Sequence, residues 1–243
     1  MSRSDPREWG RPDGLLLDMD GTLVDTEPLW FEAAQEAVAR FGGHLPDAAA
    51  EALVGLHTPS IIDTLRTRFG AAARPAALHA AVLDALAERL RRARAMPGAA
   101  DLVAAAMAHG VRCAVVSNSS ADVVRDTLAP HPWARDLTLR VSADDVRAAK
   151  PAPEIYLLAL ERLGLDAARC VAIEDSPTGA IAAVAAGVRC IGVAQSAAQA
   201  TALHDVTPYV LGSLAAVGHW LDLLDGDGAQ RPAPPTPRDG DPT

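Results

Sequence analysis

Asp18-Met19-Asp20-Gly21-Thr22 sets two acids at i and i+2 directly after the apolar run Gly14-Leu15-Leu16-Leu17. Carboxylates so spaced can both aim into one crevice around the turn that Gly21 permits. Like charges this close divide the work: one stays ionised as a nucleophile while the other holds a proton as general acid. An Asp-x-Asp alone is ordinary turn composition. The preceding apolar strand and the following Gly-Thr make it far more specific.

Three further segments carry reactive residue types. Val115-Val116-Ser117-Asn118 ends an apolar run in a hydroxyl and backbone N–H groups, which suit either a phosphate oxygen or an ordinary helix N-cap. Lys150-Pro151 holds the one lysine among 22 basic residues, the rest being arginine. Its ammonium is a compact point charge suited to pairing with a carboxylate and a phosphoryl group together. Ile173-Glu174-Asp175-Ser176 ends a buried strand in two adjacent acids, which is costly unless a cation meets them. Hard oxygen donors suit Mg2+, which keeps several of its waters and bridges to substrate phosphate. The plainer alternative is that both acids favour the N-terminus of the helix that follows.

Each segment closes a short apolar run, and further runs of this kind cover residues 112–117, 138–141, 170–173 and 189–193. Amphipathic stretches at 100–109, 153–163 and 176–186 lie between them, each followed by glycine. This alternation predicts an α/β fold with a Rossmann-like parallel sheet core and helices on both faces. In such sheets, ligands sit at the C-terminal strand edge, where all four segments would converge.

The alternation breaks after the first strand. From residue 28 to 95 the chain reads as helices with no intervening strand. Trp30, Ala33, Ala37, Val38 and Phe41 keep helical spacing after the start signal Thr26-Glu27-Pro28. Thr58-Pro59 opens a second helix with Ile61, Ile62, Leu65 and Phe69 on one face. A third, from Arg74, carries Leu78, Val82, Leu86 and Leu90. These stripes are helix–helix core. The expected organisation is a core domain of residues 13–27 and 97–225, with an inserted α-helical cap domain over 28–96. A tail at 226–243, rich in Pro, Gly and Asp, is expected to be disordered. Arg89, Arg91, Arg92 and Arg94 read as a solvated helix end.

Composition removes several function classes. The 243 residues are 49% hydrophobic and 22% charged, with net charge −9. No basic stripe interleaved with aromatics supports a nucleic-acid partner. No stretch approaches the roughly 20 apolar residues of a membrane span. Residues 1–12 lack the apolar region of a secretory signal. Cys113, Cys170 and Cys190 fall in apolar runs without metal-site spacing and read as buried thiols of a reducing compartment, so a cytoplasmic protein is expected. A monomer is the default expectation, since no residue pattern declares an oligomeric state.

Taken in order, Asp-Met-Asp-Gly-Thr, Ser-Asn, Lys-Pro and Glu-Asp resemble the haloacid dehalogenase superfamily over nearly the whole of residues 14–224. The run from Asp18 through Thr26-Glu27-Pro28-Leu29-Trp30, with Lys150-Pro151-Ala152-Pro153-Glu154-Ile155-Tyr156, is similar to the branch holding β-phosphoglucomutases and hexose-phosphate phosphatases. The resemblance implies that Asp18 attacks phosphorus to give an aspartyl-phosphate, while Asp20 protonates the leaving oxygen and then activates water. It implies that Thr22, Ser117 and the Asn118 backbone hold phosphate oxygens and that Lys150 offsets charge. Mg2+ would be bound by Asp18, the Asp20 carbonyl, Glu174 and Asp175. The implied reaction is hydrolysis of a small phosphorylated metabolite, a sugar or polyol phosphate. Substrate choice would fall to the cap residues Trp30, Leu56 and His57, with His57 a surface or capping histidine because Asp20 already fills the acid/base role.

Other activities of the superfamily fit less well. Haloacid dehalogenases work without metal and lack the second acid, whereas Asp20, Glu174 and Asp175 are present here. Phosphonate-cleaving relatives form a Schiff base with a cap lysine, and residues 28–96 contain none. β-Phosphoglucomutases place a lysine before, and an arginine shortly after, the cap glycine matched by Gly55. This chain has Val54 and Thr58 there, and Trp30 where those enzymes have a histidine. A mutase must grip a bisphosphate by its second phosphate, so a phosphatase is preferred to a β-phosphoglucomutase-like phosphomutase. A non-catalytic regulator binding a partner through the acidic, Pro-rich tail is the reading from another class. The intact set Asp18, Asp20, Lys150, Glu174 and Asp175 speaks against it.

Overall fold

The chain alternates between strands that meet in one sheet and helices that cover it, as seen in a computed structural model that describes residues 9–52 and 58–224. It begins with strand β1 (Gly14–Leu17) and the two-residue strand β2 (Val24–Asp25). Three helices follow, α1 (Glu27–Arg40), α2 (Thr58–Phe69) and α3 (Pro75–Leu90), and β3 (Arg94–Ala95) leads back. Then come α4 (Ala99–Ala108), β4 (Arg112–Val116), α5 (Ala121–Leu128), β5 (Leu139–Val141) and α6 (Glu154–Leu163). The chain continues through β6 (Cys170–Glu174), α7 (Pro177–Ala185), β7 (Arg189–Val193), α8 (Ala197–His204), β8 (Val210–Leu211) and α9 (Leu214–Trp220).

Six strands form a parallel sheet in the order β5-β4-β1-β6-β7-β8. All four residues of β1 are buried, because a strand covered on both faces needs an unbroken apolar run rather than alternation. Leu15 and Leu17 point to one face, packed with Leu102 and Val103 of α4 and Val217 of α9. Leu16 points to the other, packed with Ile155, Tyr156 and Ala159 of α6 and Ala180 and Ala183 of α7. The small residues of α7 let it lie close on the sheet.

From β1 the chain builds outward through β4 and β5, then crosses to β6 on the other side of β1. Strand order therefore reverses around β1, and in sheets of this kind that reversal is where ligands sit, at the C-terminal ends of the strands. Register aligns those ends. Leu17 lies level with Val115 of β4 and with Ile173 of β6.

The helical insertion has its own core. Ala33, Ala37 and Val38 of α1 meet Leu78, Val82 and Leu86 of α3, with Ile62 and Leu65 of α2. Within the stretch expected to be wholly helical, Arg94–Ala95 is instead extended. It pairs antiparallel with Val24–Asp25, and the Met96 N–H donates to the Leu23 carbonyl at 2.9 Å. The two crossings between sheet and insertion are thus tied by backbone bonds, which side-chain periodicity does not record. Val123 of α5 also enters the insertion's apolar cluster.

Arg89 departs from the solvated reading. It donates to Glu36 at 2.8 Å, to Glu32 at 3.3 Å and to the Ala85 carbonyl at 2.6 Å, bracing α3 against α1. Arg91, Arg92 and Arg94 are exposed. Cys170 and Cys190 are buried, Cys113 is only partly so, and all three are unbridged. Ahead of β1, Trp9 stacks on Trp220 with ring centroids 5.7 Å apart. No helix among the described residues is long and apolar enough to cross a membrane. The tail at 226–243 lies outside the described residues.

Candidate active site

Asp18 is the first residue past β1, and its N–H donates to the Ile173 carbonyl at 3.0 Å, carrying the ladder with β6 one step further. Glu174 ends β6 and Ser117 follows β4, so the level strand ends bring the three side chains to one edge. Lys150 arrives from the loop before α6 and is 4% exposed. Its ammonium donates to Asp18 Oδ1 at 2.6 Å, Glu174 Oε1 at 2.7 Å and the Val116 carbonyl at 2.7 Å. Three donors meet three acceptors, so the buried cation is fully satisfied. Burial alone would lower the Lys150 pKa, but Asp18 and Glu174 outweigh it and hold the group above the ordinary lysine value.

The surroundings of Lys150 are themselves fixed. Asn118 Nδ2 donates to the Lys150 carbonyl at 3.1 Å, and the Lys150 N–H donates to Asn118 Oδ1 at 2.8 Å. Glu174 Oε1 also accepts from the Tyr156 hydroxyl. Burial, then Glu174, pushes the Tyr156 pKa well up, so the phenol remains a donor. Ser176 donates to Glu174 Oε2 at 3.4 Å and accepts from the Gly179 N–H at 3.1 Å. The N-cap of α7 is therefore Ser176, and the two acids belong instead to the cluster around Lys150 and Asp18.

One oxygen each from Asp18, Glu174 and Asp175 lie within 4.8 Å of one another. Burial, then Glu174, pushes Asp18 up to about 7 against the pull of Lys150. Asp175 is likewise driven well above the usual carboxylate range by burial and then by Asp18. Asp18 Oδ2 is buried with no hydrogen-bond partner, which costs about 1–3 kcal/mol for an acceptor so placed. Crowding of three carboxyl groups around one ammonium thus resists ionisation of all three, and a cation entering among them would relieve it. Hard oxygen donors with an unpartnered buried oxygen among them fit a small divalent cation. That set suits Mg2+ in its chemistry.

Asp20 lies apart from this trio, its carboxylate held by hydroxyls. Thr26 donates to Oδ1 at 2.7 Å, while Ser117 and Ser119 donate to Oδ2 at 3.0 and 2.9 Å. Thr22 is fully buried and donates to Asp175 Oδ1 at 3.5 Å. Gly21 has φ +80°, and a Cβ there would strike Asp175 Oδ2. Glycine is thus required on two counts.

The structure therefore gathers Asp18, Asp20, Thr22, Ser117, Asn118, Lys150, Glu174 and Asp175 at one sheet edge. Trp30 sits in the first turn of α1, half-buried against the insertion's core. Leu56 and His57, like Val54 and Gly55, lie outside the described residues. Three contributors were not singled out as site residues in the amino-acid order: Thr26, Ser119 and Tyr156. Tyr156 carried a signal, as the one hydroxyl in an otherwise apolar helix stripe, where a buried tyrosine needs a partner. Ser119 and Thr26 are short polar residues in loops rich in them, and nothing in their spacing marks Asp20 as their partner.

A Rossmann-like parallel sheet that collects a lysine-braced carboxylate, a hydroxyl-bound acid and a cation-ready trio at one edge defines a hydrolase-type active site. The haloacid dehalogenase-like hydrolase family matches residues 15–193, and the chain belongs to that family. It is 33% identical over 186 residues to fructose-1-phosphate phosphatase YqaB of Escherichia coli, covering 76% of this chain and 98% of the relative. It is 35% identical over 188 residues to hexitol phosphatase A of the same organism, covering 75% and 83%. Among solved structures, CbbY from Rhodobacter sphaeroides in complex with phosphate aligns with a TM-score of 0.76 at 30% identity, covering 87% of this chain and 99% of that one.

Proposed function

We propose that this enzyme, a phosphoric monoester hydrolase of the haloacid dehalogenase family, hydrolyses a small sugar or polyol phosphate with Mg2+ bound, through an aspartyl-phosphate on Asp18. The observation that carries the reading is the asymmetry of Asp18: Lys150 tethers one oxygen while the other is buried and unpartnered. A carboxylate so held has one oxygen fixed for charge balance and one available for chemistry.

Asp18 attacks phosphorus as the bond to the leaving oxygen breaks, and Asp20 gives that oxygen its proton. Asp20 then takes a proton from the water that attacks the aspartyl-phosphate, which returns Asp18 and releases inorganic phosphate. The hydroxyls of Thr26 and Ser119 orient Asp20 for both transfers, and the Ser117 hydroxyl turns from Asp20 to a phosphate oxygen when substrate binds. Thr22, Ser117 and the Asn118 N–H hold phosphate oxygens, and Lys150 offsets charge between Asp18 and the phosphoryl group. Mg2+ would be held by Asp18, Glu174, Asp175 and the Asp20 carbonyl, and when bound it supplies positive charge against the phosphoryl oxygens.

Residues 28–96 act as a cap domain on a core of residues 13–27 and 97–225, and Trp30, Leu56 and His57 contribute to substrate choice. The similarity to a fructose-1-phosphate phosphatase and a hexitol phosphatase supports the substrate class. The absence of charge at Val54 and Thr58 favours water over a second sugar phosphate as acceptor. A cytoplasmic location is supported by three unbridged cysteines, which a reducing compartment would keep as thiols.

The test is a phosphate-release screen across sugar, polyol and nucleotide monophosphates, with Mg2+ or with chelator. Release should require metal and be fastest on sugar or polyol phosphates. Asp18→Asn should lower kcat by roughly 10,000-fold or more. Turnover that survives chelation, or survives Asp18→Asn, would overturn the proposal. β-Glucose 1-phosphate should yield free phosphate and no glucose 6-phosphate.

A further inference from the structure

Asp175 is held from a direction that the reaction itself does not require. Beyond β7 the chain turns through Gln195 and Ser196 into α8. The loop is pinned where it starts, because the Ala194 N–H donates to the Leu211 carbonyl at 2.9 Å. Ser196 caps α8 by accepting from the Gln199 N–H at 3.1 Å. Gln199 Oε1 accepts from the Gln195 N–H at 2.7 Å, and that bond fixes which end of the amide faces inward. Its Nε2 therefore turns to Asp175, donating to the carbonyl at 2.8 Å and to Oδ2 at 3.4 Å. Gln195 Nε2 reaches the Gly21 carbonyl at 3.2 Å, in the loop that carries Asp18 and Asp20.

Asp175 Oδ2 thus lies between the Gly21 Cα and the Gln199 amide, while Oδ1 faces the Thr22 hydroxyl. A carboxylate in a cluster of like charges is pushed to turn away from its neighbours. The amide and the glycine surface oppose that rotation. Partners that orient a metal-binding carboxylate typically matter by about 10–100-fold in affinity.

We propose that Gln199, braced by Gln195, is a positioning residue that holds the Asp175 carboxylate in its cation-binding orientation. The inference rests on the reading of Asp18, Glu174 and Asp175 as a divalent-cation site. Gln199 also helps cap α8, so a purely structural role must be separated from this one. Gln199→Met keeps length and apolar volume and the backbone N–H that Ser196 caps, but removes the acceptor for the Gln195 N–H and the donor to Asp175. Ser196→Ala removes a capping bond of the same helix end and leaves the donor.

Mn2+ binding to the metal-free full chain, measured by calorimetry alongside thermal unfolding, distinguishes the two roles. Gln199→Met should raise the Mn2+ dissociation constant about 10-fold, whereas Ser196→Ala should lower Tm and leave that constant unchanged. In steady state, Gln199→Met should raise the apparent KM for Mg2+ while kcat at saturating Mg2+ stays near wild type. Equal Mn2+ affinity in wild type and Gln199→Met, or equal weakening in both variants, would overturn the inference with the cation site intact. A wild-type chain that binds no Mn2+ would overturn the site reading and the inference with it.

Discussion

Gly179→Ala sets two physical effects against each other, and the structure decides between them. Gly179 lies in the first turn of α7 with ordinary helical backbone, not a positive φ. By helix propensity alone, alanine there should stabilise the fold by up to about 1 kcal/mol. A Cβ at Gly179, however, would fall on the Cδ, Oε1 and Oε2 atoms of Glu174, far inside contact distance. Glu174 is fully buried and cannot swing into solvent. If it stays, α7 must shift outward, and overpacking of this kind costs about 1–3 kcal/mol. If it rotates, Lys150 keeps only Asp18 as a charged partner, and breaking a buried ion pair costs about 3–5 kcal/mol. The cheaper route sets the outcome, a net loss of up to about 2 kcal/mol once the propensity gain of about 1 kcal/mol is subtracted. At roughly 2–4 °C per kcal/mol for a chain of this size, Tm should fall by up to about 8 °C. Thermal unfolding of metal-free protein reads this directly, and Mg2+-dependent phosphate release should fall in parallel because Glu174 and Lys150 move together. A Tm above wild type would show that propensity wins and that Glu174 is not held against α7.

Three other outcomes follow from particular contacts. Lys150→Met leaves the buried Asp18 and Glu174 carboxylates without their cation; it should cost about 3–5 kcal/mol in denaturant unfolding, with a larger rise in Tm on adding Mg2+ than wild type shows. Tyr156→Phe removes one neutral donor from Glu174 and none from Asp18; it should cost about 1–3 kcal/mol of stability and lower kcat less than Lys150→Met, as paired unfolding and rate measurements would reveal. Asp145 gives a pH-dependent case: burial would raise its pKa, but the Ser142 N–H, the Arg162 guanidinium and the Ser142 hydroxyl outweigh this and hold it below the usual 3.8. A carboxyl depressed on folding contributes stability that is present above its unfolded pKa and lost as pH falls through its folded one. Asp145→Asn should therefore be less stable than wild type at pH 6, and the gap should narrow as unfolding is measured at pH values falling below about 4.

The chemistry was legible in the amino-acid order because it depends on residue type at strand ends. An unbroken apolar run such as Gly14–Leu17 declares a strand covered on both faces, and the residue after it must emerge at the sheet edge. Asp18, Ser117 and Glu174 could be placed together on that ground, and the helical stripes of Ala33, Ala37, Leu78, Val82 and Leu86 declared a second apolar core. The extended pair Val24–Asp25 and Arg94–Ala95 gave no such signal, since two residues are too short for any periodicity.

What tertiary structure alone decided is which polar groups face one another. Lys150 and Asp18 are 132 residues apart, and Ser117 and Asp20 are 97 apart. Their meeting depends on strand order and register, which no local propensity encodes. Burial then changes what those residues are: a lysine that would be a solvated charge on a surface becomes the satisfied centre of three acceptors. Gln199 shows the same logic from the other side. In sequence it is one polar residue in a helix start, and only the turn of the β7–α8 loop over Gly21 aims its amide at Asp175. Residue types limited what reaction this chain can perform. Packing selected the atoms that would carry it out, because the energy of a buried charge depends on its neighbours in space and not on those along the chain.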